Sequence, residues 1–188
     1  MSIWQSAVER HHHLLRALAF TDRQGRTQEV DEAFRLWADW AGEIREKERI
    51  VYLIGNGASA SMASHFAADL AKNGHLHTQV FSDVCLITAV SNDIDFAEIY
   101  AEPLRRRGKK GDLLVAISSS GRSPNILRGV EVAHDLDLTV VTLTGFDADN
   151  PLRSMGHLNA HLPTLTYGEA ETAHAAVLHC WMDLVEVK

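Results

Sequence analysis

The feature that most constrains this chain is a repeated change of hydrophobic period. Short, continuous apolar runs rich in β-branched residues occupy positions 50–54, 78–81, 113–117, 138–143 and, more weakly, 158–162. Runs of that length without alternation are what strands buried on both faces require. Helical patterns fill the gaps at 59–73, 94–106, 124–135 and 168–187. Strand and helix in alternation imply right-handed crossovers, a parallel sheet and helices on both of its faces. At 188 residues the chain has room for one such domain. Residues 1–48 precede the first strand and read as two helices, 2–20 and 28–48, with no strand between them. Residues 49–188 form the α/β domain, and the two parts make a single structural unit. In the second helix Val30, Ala33, Phe34, Trp37, Ala41 and Ile44 follow helical spacing. That face is expected either against the chain's own sheet or against a second copy in a symmetric bundle.

Composition removes several classes. A net charge of −7 disfavours a coat for nucleic acid, whose phosphates require basic patches. No apolar run approaches the ~20 residues of a membrane span. The N-terminus carries charge and three histidines by position 13, unlike a signal peptide. Two cysteines without CxxC spacing point to reduced thiols and a cytoplasmic protein.

In parallel sheets, ligands bind beyond the carboxyl ends of the strands. Two strand-to-helix junctions here are rich in small residues: Gly55-Asn56-Gly57-Ala58-Ser59 and Ser118-Ser119-Ser120-Gly121-Arg122-Ser123. Small side chains admit a ligand close to the backbone, and helix N-termini attract anions. Hydroxyls of Ser59, Ser118, Ser120 and Ser123 add neutral donors, so a phosphate monoester fits. One capping serine per loop would be ordinary; four are not. Neither loop carries a GK[ST] or GxGxxG signature, which turns the reading from nucleotides toward a small phosphorylated metabolite.

These loops, together with His65-Phe66-Ala67 and Ser91-Asn92-Asp93, resemble sugar isomerase (SIS) domains. Within that group the chain is most similar to the phosphoheptose isomerases, and the similarity spans nearly its whole length. The resemblance implies a flavodoxin-like fold, a homotetramer, an active site at a subunit interface and a divalent metal, zinc above others. It implies interconversion of sedoheptulose 7-phosphate and D-glycero-D-manno-heptose 7-phosphate through an enediol. It assigns substrate contacts to Asn56, Gly57, Ala58, Ser59, Asn92, Asp93 and Glu171, and a phosphate cradle to Ser118, Ser119, Ser120 and Ser123. His65, Asp69, Glu171 and His179 match the metal positions, with Asp69 as base and His179 as acid. The family has glutamate where Asp69 stands and glutamine where Glu171 stands. A non-catalytic SIS protein that binds a sugar phosphate or a protein partner, and an isomerase of another ketose phosphate, are the alternatives.

Spacing bears on these assignments. His65 and Asp69 are i and i+4, on one helix face. Glu171 and His179 lie on one flank of the last helix but ~12 Å apart along its axis, which is awkward for joint ligation. On that helix Ala170, Ala173, His174, Val177, Leu178, Trp181, Leu184 and Val185 define an apolar stripe, so His174 is expected as a hydrogen-bonded core residue. His11, His12 and His13 point ~100° apart on a helix and read as solvated.

Overall fold

A computed structural model describes residues 2–186. The elements are α1 (Ile3–Arg16), β1 (Ala19–Asp22), β2 (Thr27–Gln28), α2 (Val30–Glu46), β3 (Ile50–Gly55), α3 (Ala58–Lys72), β4 (His77–Gln79), α4 (Val84–Asp93), α5 (Ala101–Arg107), β5 (Leu113–Ser118), α6 (Pro124–Asp135), β6 (Thr139–Thr144), β7 (Leu158–His161) and α7 (Tyr167–Val185). The sheet runs β2-β1-β7-β6-β5-β3-β4. Its five strands from β3 onward are parallel in the doubly wound order of flavodoxin-like folds, with the chain reversing direction between β3 and β5.

Alternation along each buried strand divides the core in two. Val51, Leu53, Leu113, Val115 and Ile117 face α2, α3 and α7. Tyr52, Ile54, Leu114 and Ala116 face α5 and α6 on the other side. Asp112, almost fully buried, joins the first strands at their amino ends. Its carboxylate accepts from the Ile50 N–H at 3.0 Å and the Lys109 N–H at 2.8 Å.

Two parts of the sequence reading need correction. Residues 2–28 are not helix alone: after α1 the chain forms a β1–β2 hairpin, and β1 extends the sheet antiparallel to β7. Its turn is set by Asp22, whose carboxylate accepts from the Gln24 and Arg26 N–H groups, and by Gly25. Strands of four and two residues are too short to display a period, which is why the hairpin is silent in sequence.

The single helix expected over 94–106 is a 3-10 turn, Phe96–Glu98, followed by α5, and α4 before it was not anticipated. Pro103 cannot donate to a preceding turn, so α5 begins just two residues before it. The Asp83 side chain caps α4 by accepting from the Leu86 N–H at 2.9 Å.

The face of α2 is covered within the chain. Trp37 stacks on Trp181 of α7 with centroids 4.2 Å apart and planes 10° apart, and both rings are fully buried. α1 differs: Leu14 is its one buried residue, while Ile3 and Trp4 are exposed. On α7 the stripe holds except at its end, where Met182 is buried and Leu184 exposed.

Candidate functional site

The two small-residue loops meet at the carboxyl ends of β3 and β5, where the sheet order reverses. They enclose a cavity of about 260 Å³. Its wall is Asn56, Gly57, Ala58 and Ser59 from the first loop, Ile117, Ser118, Ser119, Ser120 and Ser123 from the second, and Tyr167 and Glu171 from α7.

Local geometry explains why the donors are available. Gly57, the N-cap of α3, has φ +57° and no side-chain oxygen, so no side chain covers that helix start, although the Ser59 and Ala60 N–H groups turn back onto the Asn56 and Gly57 carbonyls at 3.0 Å. Gly121 turns the second loop at φ +61°, where a Cβ would lie 1.9 Å from the Asn150 Oδ1. The Gly121 N–H is held by the Ser118 hydroxyl oxygen at 3.2 Å, which leaves the Ser118 O–H free to donate. Gly145 donates to the Ser119 carbonyl at 2.9 Å, tying the loop to the end of β6. Ser123 is the N-cap of α6, yet its hydroxyl makes no capping bond. Two helix N-termini and several unengaged hydroxyls therefore converge on one cavity.

Among the described residues no lysine or arginine lines it. Arg122, adjacent in sequence, is turned outward onto Asp149 at 2.8 Å. An anion placed here would meet neutral dipoles, an arrangement suited to a phosphate monoester. Among the described wall residues Glu171 alone carries a carboxylate. Tyr167, one helical turn before it, is braced edge-on by Phe146 at 5.0 Å. Tyr167 escaped the sequence reading, although its i, i+4 relation to Glu171 was the available signal.

The remaining assigned residues stand outside this wall. His65 Nε2 lies 3.4 Å from Asp69 Oδ2 on α3. The His65 and His179 rings face each other at 5.7 Å, with Phe66 against His179 at 4.7 Å. Both histidines are exposed. Glu171 lies two turns away along α7, in a helix already regular at Tyr167, so it does not join them. Among the described residues no group of three or more histidine, cysteine or acidic side chains is spaced to hold a metal ion. The four donors thus do not form a zinc cage within one chain. Asn92 and Asp93, at the exposed end of α4, bond to each other at 2.8 Å and do not reach the cavity.

His174 is a core residue, as expected, but without hydrogen bonds: both ring nitrogens lack partners. Burial pushes its pKa down to about 4. Neighbouring His161 is also pushed to about 4, mainly by burial and then by the Arg153 and His174 charges.

A doubly wound sheet with serine- and glycine-rich loops around a cavity at its switch point is the arrangement of a SIS domain. The SIS domain family model matches residues 22–145. Phosphoheptose isomerase of Methylibium petroleiphilum is 36% identical over 146 residues, covering 73% of each chain. That of Coxiella burnetii is 31% identical over 160 residues, covering 79% of this chain and 80% of the relative. The solved phosphoheptose isomerase GmhA from Neisseria gonorrhoeae superposes with a TM-score of 0.80 at 26% identity, over 98% of this chain and 100% of that one. The phosphoheptose isomerase structure from Francisella tularensis gives the same TM-score and identity over the full length of both chains. The chain belongs to the phosphoheptose isomerase family.

Proposed function

We propose that this protein interconverts sedoheptulose 7-phosphate and D-glycero-D-manno-heptose 7-phosphate. The observation that carries the reading is the cavity: a phosphate-sized cluster of neutral donors with a carboxylate, Glu171, in the same wall. The serine loops and the starts of α3 and α6 bind the phosphate. Because the phosphate is remote from the reacting carbons, its binding energy serves to position them. Moving a proton between C1 and C2 through an enediol requires a base at carbon and an acid for the oxygens. We assign these roles to Asp69 and His179, with Glu171 orienting the sugar.

Asp69 and His179 lie outside the wall contributed by their own chain. This supports an oligomer in which a second copy completes the site. The exposed Ile3 and Trp4 on α1 support the same view, and a homotetramer is the assembly proposed. No helix among the described residues is long and apolar enough to cross a membrane. The unpaired Cys85 and Cys180 support a cytoplasmic location.

The test is incubation of the purified protein with sedoheptulose 7-phosphate while following aldose formation. Wild type should turn over, and Asp69→Asn, which keeps the shape but removes the base, should lower kcat about a hundredfold or more. Glu171→Gln should retain measurable turnover. Absence of turnover on heptulose phosphate, or a full-rate Asp69→Asn enzyme, would overturn the reading.

A further inference from the structure

Asn56 is the residue in the first loop with a side chain rich enough in donors and acceptors to recognise a sugar directly. Its amide, however, is already engaged. Asn56 Nδ2 donates to Asn125 Oδ1 at 2.9 Å, and Asn125 Nδ2 donates back to Asn56 Oδ1 at 2.8 Å. The orientation of Asn125 is set independently: its Oδ1 also accepts from the Ile126 N–H at 3.1 Å, so oxygen and not nitrogen must face that donor. Tyr100 adds a third tie. Its hydroxyl donates to the Gly55 carbonyl and makes a longer contact of 3.4 Å with Asn56 Oδ1. Asn125 is fully buried and Tyr100 nearly so. Asn56 therefore has a single amide N–H left for anything else.

We propose that Asn125, assisted by Tyr100, is a positioning residue that locks the first loop to the second, and that Asn56 meets the substrate through its backbone rather than its side chain. The physical case is one of distance and rigidity. The two loops emerge from neighbouring strands, Gly55 opposite Ile117 in register, and diverge into helices on opposite faces of the sheet. Nothing in either strand sets the gap between the loops beyond that last pair. The reciprocal amide pair spans the gap 69 residues apart in sequence, in a partly buried setting with Asn125 itself out of solvent, where hydrogen bonds are strengthened and geometry is held. The spacing of donors around a bound phosphate is then fixed before the ligand arrives, which lowers the ordering required on binding.

The inference rests on the reading of the cavity as a phosphosugar site, and the experiment separates the two. KM and kcat are measured for Asn56→Ala, Asn125→Ala and the double variant, with Asn125→Asp as a same-sized change that removes the Nδ2 donor and Tyr100→Phe as the third tie. Thermal unfolding identifies any variant that fails to fold. For a clamp, each asparagine variant raises KM about tenfold or more with a smaller change in kcat. The double variant should be no worse than the poorer single one within about twofold, because residues acting as one unit are not additive. Multiplying losses in the double variant would show that the Asn56 side chain touches the substrate on its own and would overturn the proposal. So would folded Asn125→Ala and Asn125→Asp enzymes with unchanged KM. If wild type turns over no sugar phosphate, the functional reading fails, and the clamp is then judged by calorimetric affinity for inorganic phosphate across the same cycle.

Discussion

Replacing Ser123 by alanine separates a cap from a cradle. A serine at a helix N-cap ordinarily accepts from an N–H of the first turn, and its loss costs about 1 kcal/mol of stability. For a chain of this size that corresponds to roughly 2–4 °C in Tm. Here Ser123 occupies the N-cap of α6 but its hydroxyl caps nothing, while the residue lines the cavity. Stability should therefore stay within about 0.3 kcal/mol of wild type, below the loss of even a weak cap. A hydroxyl donating to a phosphate is worth roughly 1.5–3 kcal/mol, because the acceptor is charged. With no lysine or arginine in the wall to compensate, KM should rise about 10- to 100-fold, at ~1.4 kcal/mol per factor of ten. The phosphate does not change during enolisation, so kcat should change little. The assay pairs steady-state kinetics on sedoheptulose 7-phosphate with thermal unfolding. Asp83→Ala, which removes a cap that is made, serves as the opposite control: lower Tm, unchanged KM. A Ser123→Ala protein with a lowered Tm and an unchanged KM would refute the assignment.

Acid sensitivity follows from the buried histidines. His174 takes a proton near pH 4 when folded and near 6.5 when unfolded, so below pH 6.5 the unfolded state binds more protons and stability falls with falling pH. Between pH 7 and 5 this one residue should remove about 2 kcal/mol in urea unfolding, with a similar share from His161. His174→Leu should halve the slope, and an unaltered slope would contradict the reading. Asp112→Ala deletes the acceptor for two partly buried N–H groups; about 1–3 kcal/mol should be lost in denaturant unfolding, and an unchanged stability would argue against the tie. Because Glu171 stands apart from His65, Asp69 and His179, equilibrium dialysis of the purified protein should find less than one tightly held zinc per chain. Stoichiometric nanomolar zinc would show that the donors regroup in the assembly.

Where residues near in sequence act together, the sequence already contained the answer. The five apolar runs became β3 to β7 and the helical stripe of α2 became a buried face, because strand and helix periods are local properties of side-chain spacing. The two loops were legible for a similar reason: glycine and serine at strand ends leave a distinctive composition. The β1–β2 hairpin was not, since its position depends on β7, more than 130 residues later. Glu171 parted from His179 because a regular helix holds them ~12 Å apart, and only the packing of α3 against α7 brought His179 beside His65 instead. Asn56 and Asn125 offer the sharpest contrast. In the sequence Asn56 reads as a substrate contact and Asn125 as the start of a helix, and their pairing exists because parallel strands β3 and β5 end side by side. Local spacing decides which elements form; the tertiary contacts among them decide which side chains meet.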